Sequence, residues 1–594
     1  MQRITLDNFR VFGTEASFNL APVTVLTGKN NSGKSSLIKA FLVLADYFEQ
    51  DDQTELRLDG RRGSRHRISE WLTLKNWDNP NSSPLRIGYQ SGEVQLTFVF
   101  GIDQTEDSKK KGSKKPEIVP RLQQFLLEVP GFAPLNLARI SKSSNYQLEV
   151  HQALIDYLTA GEKEKEQLRA MADYPRQLVE TRDELKQINS LFHSGKPLSS
   201  EDMSELPKLL EKRQETQNRL QRLESLVEQQ QRLTGILFQA EVTVNSLPNA
   251  PTLGQIIQSG LEVYMHEHLP HDTSYTLNEL IGHYGLEVDE FGNADPDELR
   301  KAEIDWNEQA QHEQVQRTLR LSSEQSVRIL SRFRDVIEQM FFTVEHLGAN
   351  RTYQARLYLT GSGQATEINA VADSFQRLGR LKSQGAKAFL QRWLPRFGLG
   401  EQVYITSIEN SAIRIEVQRD GRRVNLADMG FGAGQVLTLL LHIAALMQQH
   451  DSGKSAIHLR NRAKLVLIEE PEANLHPNYQ SALSELFADV AKSDYRINFI
   501  LETHSEYLIR NIQVLVKENG KTFTRKKMQF KKNHGLLVDE PPVELFKVFY
   551  LDTPSGANGN QYGHEMRLRE DGAFLDKFGE GFLDEARNLA YKVL

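Results

Sequence analysis

The sequence predicts an α/β protein whose main domain is interrupted by a long helical region. A glycine-rich segment lies between a β-branched run, 23–27, and an apolar helix pattern that begins at Ser35. Two later apolar runs, 465–468 and 497–501, have the length of buried strands and end in polar residues. Between these strand-rich parts, residues 151–240 are rich in Gln, Glu, Leu and Arg and poor in β-branched residues.

The composition excludes several classes of protein. The 594 residues allow about four domains, or two large ones with insertions. With 39% hydrophobic and 25% charged residues, the chain is neither disordered nor collagen-like. It has no cysteine, which excludes disulfide scaffolds, thiol catalysis, iron–sulfur clusters and cysteine-ligated zinc. Because the net charge is -7, contact with nucleic acid would need a local basic patch.

The sequence also indicates where the protein works. The longest apolar run, 437–447, is interrupted by His442 and is shorter than the roughly 20 residues of a spanning helix. The N-terminus alternates like a strand and lacks the apolar core of a signal peptide. We therefore expect a cytoplasmic protein without a membrane partner, which agrees with the absence of cysteine.

Residues 1–150 predict an N-terminal lobe. Its first 30 residues are typical of two strands joined by a turn, and a helix is expected from Ser35 to about Phe48. Residues 85–150 alternate like strands around a lysine-rich loop at 102–118. We expect a C-terminal lobe at 344–594, which alternates strands with one apolar helix, 436–447, and ends in a helix from about Leu583.

Between the lobes, residues 151–240 predict a helical hairpin of the coiled-coil type. Apolar residues recur every three or four positions over 178–192 and again over 206–227, on either side of a Ser-Gly-Lys-Pro break at 194–197. An ordinary helical subdomain is the alternative, because sustained heptads are few. Residues 241–343 predict a further helical insertion.

The segment 28–35 matches GxxxxGK[ST], a phosphate-binding loop. Its glycines let backbone amides face a phosphate, and the helix that follows adds its positive N-terminal end. Lys34 would bridge the β- and γ-phosphates, and the Ser35 hydroxyl would hold Mg²⁺. The expected nucleotide contacts are Gly28, Asn30, Asn31, Ser32, Gly33, Lys34, Ser35 and Ser36.

Two acidic residues follow the buried strand 465–468. Glu469 would support the magnesium ion, and Glu470 would be the base that orients the attacking water. A second buried strand, 497–501, leads to His504, which would hydrogen-bond a γ-phosphate and report its loss. An acidic surface turn and a structural histidine are the alternatives to these roles.

A second glycine-rich segment, 428–435, precedes the apolar helix and predicts a second anion site. One nucleotide does not need two such sites in one chain. Two chains packed head-to-tail would use both, with the second loop of one capping the γ-phosphate of the other. The residues expected to serve in this way are Gly430, Gly432, Gly434 and Gln435.

This order of motifs resembles the ABC-type ATPase heads of the SMC, Rad50, RecF and OLD group, which have a RecA-like P-loop fold. The resemblance covers about 1–100 and 345–594. It implies ATP and Mg²⁺ as cofactors, with 28–35 as the Walker A loop, 430–435 as the signature loop and Glu469 with Glu470 as the Walker B pair. A homodimer or higher homo-oligomer is also implied.

Other positions fit the same resemblance. Residues 474–477 stand at the D-loop, His504 stands at the switch histidine, and Arg10 in Leu-Asp-Asn-Phe-Arg is expected near the nucleotide. The amino-acid sequence of segments 468–477 and 502–506 is most similar to that of the OLD-like bacterial ATPases. The signature departs from the pattern: it is GFGAGQ and lacks the usual serine, so backbone amides or Gln435 would replace it.

The resemblance also suggests what the ATPase serves. Residues 511–594 lack the Glu-Gly and Asp-x-Asp pattern of the Toprim nuclease domain that OLD nucleases carry. Similar stand-alone heads occur in anti-phage defence systems of the Septu and retron-associated types, beside a separate nuclease. We therefore expect a separate effector protein, with a RecF-type repair ATPase and an ATP-binding scaffold with little turnover as alternatives. Two basic clusters, 61–67 and 525–532, are candidate DNA contacts.

Overall fold

Most of the chain can be described at the level of its helices and strands. The computed structural model describes residues 2–58, 65–102, 119–140, 143–172, 174–192, 210–225, 237–244, 247, 251–268, 298, 323–349, 355–359, 382–409, 411–451, 464–524, 526–531, 534–539, 542–552, 563–579 and 582. The lysine-rich loop 103–118, the break 194–197 and the expected C-terminal helix from Leu583 lie outside these residues.

The strands are numbered in chain order. They are β1 Arg3–Asp7, β2 Ala16–Asn19, β3 Val23–Gly28, β4 Leu85–Ser91, β5 Val94–Gly101, β6 Arg121–Glu128, β7 Leu135–Arg139, β8 Tyr146–His151, β9 Leu237–Val242, β10 Thr343–Leu347, β11 Tyr358–Leu359, β12 Gln402–Ile408, β13 Ala412–Arg419, β14 Arg422–Asn425, β15 Lys464–Glu469, β16 Ile497–Glu502, β17 Thr522–Phe523, β18 Lys526–Lys531, β19 His534–Asp539, β20 Val543–Glu544, β21 Phe546–Leu551 and β22 Gly563–Glu565.

The helices are identified by their bounds. They are Lys34–Glu49, Trp71–Leu74, Gln152–Thr159, Glu162–Ala172, Tyr174–Phe192, 210–225, Leu253–His268, Ser323–Met340, Gln384–Arg396, Phe431–Asp451, Pro477–Lys492 and Glu506–Asn519, with a 3₁₀ turn at Leu426–Asp428.

The chain divides into two compact units, 1–123 with 338–594 and 124–337. The sequence placed a boundary at 150, whereas β6, β7 and β8 group with the helical region. The reason is strand pairing: β8 pairs along its length with β9, which follows the helical hairpin in the chain. The sequence predicted only helical structure around β9, so this strand was missed.

The first unit is built around a six-stranded sheet in the order β10-β15-β16-β3-β21-β22. Its first five strands are parallel, and only β22 runs antiparallel. Every residue of β3 is buried, as expected for a parallel strand with both faces covered. The helices Lys34–Glu49 and Pro477–Lys492 both pack on β3 and β16. The α/β class predicted from the sequence is therefore confirmed.

Antiparallel strands complete this unit. One set follows the order β2-β1-β4-β5, and another joins β11, β13 and β12, with β14 beside β13. The sequence predicted two strands in residues 1–30, whereas the structure has three, because β2 pairs with β1 across the turn. Aromatic side chains tie the helix Lys34–Glu49 to this region: the ring centroids of Tyr47 and of Phe100, in β5, lie 5.1 Å apart.

The helix Phe431–Asp451 forms much of the core of the first unit. It is buried continuously from Gly434 to Gln448. Among the described residues it is the one helix long and apolar enough to cross a membrane, but 83% of its most apolar window is buried inside the protein. It begins five residues before the predicted helix, because the amide of Gly434 already bonds to the carbonyl of Gly430. The predicted second glycine loop is therefore the first turn of this helix.

The second unit contains the antiparallel strands β6-β7-β8-β9 and most of the helical region. In the helices Tyr174–Phe192 and 210–225, the buried residues are Thr181, Ile188, Thr216 and Leu223, all positions that the three-and-four spacing selected. Arg182 and Glu224 form an ion pair of 3.0 Å between the two helices. This contact shows that the two helices lie side by side, and the coiled-coil interpretation stays a prediction.

Candidate functional site

The phosphate-binding loop joins the end of β3 to the helix Lys34–Glu49. Gly28 and Gly33 have φ values of 126° and 107°, and Asn31 has 61°, a left-handed region that favours glycine and admits asparagine. A Cβ on Gly28 would lie 2.0 Å from the carbonyl oxygen of Leu551 in β21. The glycine at the end of this strand is therefore required by the close approach of two parallel strands.

Lys34 is held within the curve of this loop. Its side chain is only 4% exposed, and its ammonium donates to the carbonyl oxygens of Gly28 at 3.0 Å and Lys29 at 2.7 Å. Burial lowers the pKa of Lys34, and the carboxylates of Glu502 and then Glu470 oppose that shift. These hydrogen bonds hold the Lys34 ammonium inside the loop. A bound phosphate would take the place of the two carbonyl oxygens as the hydrogen-bond acceptor of Lys34.

Two further features of the loop fit a phosphate group. The hydroxyl of Ser32 is buried without a hydrogen-bond partner, and a buried unpaired hydroxyl is costly unless a ligand satisfies it. Asn30, Asn31 and Ser35 are exposed, so this end of the loop is open to a ligand. The residues present therefore fit a nucleotide phosphate.

Arg10 braces the start of the adjoining helix. Its Nε donates to the Ser36 hydroxyl at 3.2 Å, and its Nη1 donates to the carbonyl of Thr73 at 3.2 Å. The structure thus places Arg10 at Ser36, next to the phosphate loop, and its contact with the nucleotide stays a prediction. It also shows that the hydroxyl of Ser36, predicted as a nucleotide contact, is engaged by Arg10.

Three carboxylates stand at the carboxyl ends of neighbouring parallel strands. Glu469 ends β15 and Glu502 ends β16, and the two are register partners. The amide of Glu470 donates to the carbonyl oxygen of Glu502 at 2.7 Å, and Glu470 has a φ of 45°. Carboxylate oxygens are the ligands that Mg²⁺ prefers. Together with the Ser35 hydroxyl, this edge of the sheet offers suitable donors for a magnesium ion.

Sequence reasoning missed two partners of these residues. The hydroxyl of Ser35 donates to both carboxylate oxygens of Glu502, at 3.2 and 3.1 Å. The Nε2 atom of His346, in β10, lies 3.1 Å from Oε1 of Glu469. Each of these two residues lies at or next to the carboxyl end of a parallel strand that adjoins β15 or β3. Only knowledge of the strand order could have selected them.

His504 lies two residues before the start of the helix Glu506–Asn519, after the end of β16. Its amide donates to Oε1 of Glu472 at 2.7 Å, which fixes the backbone that carries the imidazole. Partial burial lowers the pKa of His504, Lys34 lowers it further, and Glu470 opposes them. These effects favour the neutral imidazole, which interacts electrostatically with both Lys34 of the phosphate loop and Glu470.

The glycine-rich turn 430–435 contacts the segment that follows the acidic pair. A Cβ on Gly432 would lie 2.4 Å from the carbonyl oxygen of Asn474. Gly430 is exposed and has open space around it, whereas Gly434 is buried. Gln435 is 1% exposed, and its amide donates to the carbonyl of Ala349 at 3.5 Å. Because this side chain points into its own chain, the geometry favours backbone amides over Gln435 as substitutes for the missing serine.

The first basic cluster is less available than its sequence suggests. Arg65 pairs with Glu49 at 2.6 Å and lies 3.8 Å from Asp46, and His66 is 2% exposed. Arg67 is exposed. Arg61 and Arg62, like Arg525 and Lys532 of the second cluster, lie outside the described residues. The two clusters stay a prediction as DNA contacts.

The comparisons with known proteins agree with a nucleotide site. The sequence profile described as AAA ATPase domain matches residues 1–509. No curated protein matches the chain in sequence.

Two similar solved structures are SMC heads. One is the Smc head domain with an extended coiled coil bound to the C-terminal domain of ScpA, from Pyrococcus furiosus, with 11% identity, a TM-score of 0.27 and coverage of 92% of this chain and 96% of that chain. The other is the SMC head domain from Thermotoga maritima, with 9% identity, a TM-score of 0.27 and coverage of 91% and 98%. Since these superpositions are poor, the assignment rests on the sequence profile and the site geometry. The chain belongs to the AAA ATPase domain family and is an ATP-binding and ATP-hydrolysing protein of the P-loop type.

Proposed function

We propose that this chain is an Mg²⁺-dependent ATPase switch that closes into a head-to-tail dimer around bound ATP and opens after hydrolysis. The observation that carries the proposal is the meeting of Lys34, Ser35, Glu469 and Glu470 at one edge of the parallel sheet. That edge combines a fixed cation, a hydroxyl and carboxylates, which are the groups that phosphoryl transfer to water requires.

Each residue has a distinct part in this proposal. Lys34 binds the phosphates, and Ser35 with Glu469 would hold the magnesium ion. That ion, when bound, would neutralise charge that develops on the phosphates. Glu470 accepts a proton from the attacking water and orients that water, while His504 donates a hydrogen bond to the γ-phosphate.

The dimer is supported by the position of the glycine-rich turn. Gly430 is exposed, and open space surrounds the position of its missing side chain, so a phosphate held by a second chain can approach the amides at the start of the helix Phe431–Asp451. Gly432 meanwhile packs against Asn474, four residues after Glu470. A partner that binds at this turn would therefore press on Asn474, which lies close in sequence to the acidic pair of the same chain.

The test uses the variant Glu470→Gln, which keeps the shape of the side chain but removes the base. We expect it to bind ATP, to hydrolyse it at least about 100-fold more slowly, and to double its solution mass in Mg²⁺-ATP but not in ADP. The matched control is Glu518→Gln, an exposed residue at the end of the helix Glu506–Asn519. An unchanged mass for both Glu470→Gln and the wild type in ATP would contradict the dimer.

We further propose that the switch controls a separate effector protein, a nuclease, in bacterial anti-phage defence. The support is the sequence of 468–477 and 502–506, which resembles that of the OLD-like ATPases. A DNA repair ATPase of the RecF or SMC type has equal support from the family. A scaffold that binds ATP with little turnover is the third alternative, supported by the unusual signature.

Affinity purification from the native cell with mass spectrometry separates these alternatives. A nuclease recovered in fixed ratio, and released or retained according to nucleotide, supports the defence switch. Recombination proteins, or abundant DNA without a protein partner, support the repair function instead. The scaffold predicts a measured turnover that is unchanged by Glu470→Gln.

A further inference from the structure

Glu502 is a third carboxylate at the nucleotide site, and neither the phosphate loop nor the acidic pair accounts for it. It ends β16, which lies between β15, with Glu469, and β3, which leads into the phosphate loop. Its carbonyl oxygen accepts the amide of Glu470. The backbone of Glu502 therefore contacts the acidic pair, and its side chain contacts Ser35 of the phosphate loop.

The side chain of Glu502 is bonded to the serine expected to hold the metal. Ser35 Oγ lies 3.2 Å from Oε1 and 3.1 Å from Oε2 of Glu502. A hydroxyl has one proton and two lone pairs, whereas an ionised carboxylate only accepts. Because the Ser35 hydroxyl donates its hydrogen bond to Glu502, the lone pairs of Oγ are oriented away from that carboxylate and can face a cation.

The surroundings of Glu502 also favour a cation nearby. The Lys34 ammonium attracts the partly buried carboxylate of Glu502, whereas the carboxylates of Glu469 and Glu470 repel it. Three carboxylates thus lie near two ammonium groups, because Lys39 also interacts with Glu469. A divalent cation would relieve the mutual repulsion of the carboxylates.

We propose that Glu502 is a positioning residue for the Mg²⁺ ion that accompanies the nucleotide, acting through its hydrogen bond with Ser35. The inference rests on the proposed Mg²⁺-ATP site and adds a residue to it. Partners that hydrogen-bond a metal ligand orient it and increase its basicity, and their loss usually costs about 10- to 100-fold in metal affinity. If the Ser35–Glu502 hydrogen bond served only to hold β16 against the helix Lys34–Glu49, loss of Glu502 would leave the metal affinity unchanged.

The experiment measures Mn²⁺ binding by electron paramagnetic resonance in the presence of saturating ADP, so that no turnover occurs. We expect Glu502→Ala to weaken Mn²⁺ binding by about 10- to 100-fold. Glu502→Gln keeps an acceptor oxygen at the same reach and should lose less. Affinity for a fluorescent ADP analogue in EDTA should stay the same or become tighter, because a negative charge near the phosphates is removed. Glu518→Gln is the exposed control.

A double-mutant cycle with Ser35→Ala tests the route of the effect. If Glu502 acts through Ser35, then adding Glu502→Gln to Ser35→Ala should change Mn²⁺ affinity less than twofold. Fully additive losses, or Mn²⁺ affinity unchanged in both Glu502 variants while ADP still binds, would overturn the inference alone. Failure of the wild type to bind ADP in EDTA or with Mn²⁺ would overturn the proposed nucleotide site, and this inference with it.

Discussion

Adding one methyl group at Gly432 should destabilise the first unit, whereas the same change at Gly430 should not. The two glycines lie two residues apart at the start of the helix Phe431–Asp451. A Cβ at Gly432 would lie 2.4 Å from the carbonyl oxygen of Asn474, whereas a Cβ at Gly430 would have no neighbour within 4 Å. Comparing the two alanine variants therefore separates the effect of the close contact with Asn474 from the effect of replacing a glycine.

The magnitude follows from how little Asn474 can move. It has a φ of 61°, and two bonds hold the turn around it, from the amide of Ala473 to the carbonyl of Glu470 and from that of Leu475 to that of Glu472. Relieving the contact needs a backbone shift of about 1 Å, and overpacking of this kind costs about 1–3 kcal/mol. At about 2 °C per kcal/mol for a unit of this size, melting should fall by about 2–6 °C.

The assay is thermal unfolding followed by tryptophan fluorescence, with wild type, Gly432→Ala and Gly430→Ala measured side by side without nucleotide. Gly430→Ala should melt within about 1 °C of the wild type. Binding of a fluorescent ADP analogue confirms that both variants keep the phosphate loop. Equal melting of the two variants would show that the turn does not pack on Asn474 in solution.

Three other predictions concern the nucleotide site. Lys34→Ala should weaken binding of a fluorescent ATP analogue by about 10- to 100-fold, since charged hydrogen bonds contribute about 1.5–3 kcal/mol; unchanged binding would contradict the role of Lys34. His346→Ala removes the partner of Glu469 and should raise the Mg²⁺ concentration for half-maximal ATP turnover by about tenfold, while the exposed control His564→Ala should not. Because burial and Lys34 lower the pKa of His504, its favourable contribution to folding should be present above about pH 6.5, the usual histidine pKa, and lost as the pH falls. Histidine NMR should show that pKa rising in Lys34→Ala, and a fall would refute the assigned cause.

The local sequence predicted the elements that carry the site. The apolar run before Gly28, the glycine pattern and the helix after Lys34 depend on short-range preferences, and each was found close to its predicted bounds. The same holds for β15 and β16, where a buried strand ends in polar residues. The family profile confirms the ATPase assignment based on these motifs.

Contacts between distant segments could not be predicted in this way. The strand β9 was missed because its partner β8 precedes it by a long helical stretch, and its own alternation is short. The sequence predicted a loop at the first turn of the helix Phe431–Asp451 because glycines are poor helix formers, yet the turn is helical and Gly432 packs against Asn474.

The sequence by itself determined that this chain has a phosphate-binding loop, an acidic pair and a histidine at strand ends, since each depends on neighbouring residues. Only the tertiary structure decided which partners complete them. Glu502 meets Ser35 and His346 meets Glu469 because β16 lies between β15 and β3 and β10 lies beside β15. Strand order is set by the packing of the whole sheet, and no local pattern records it.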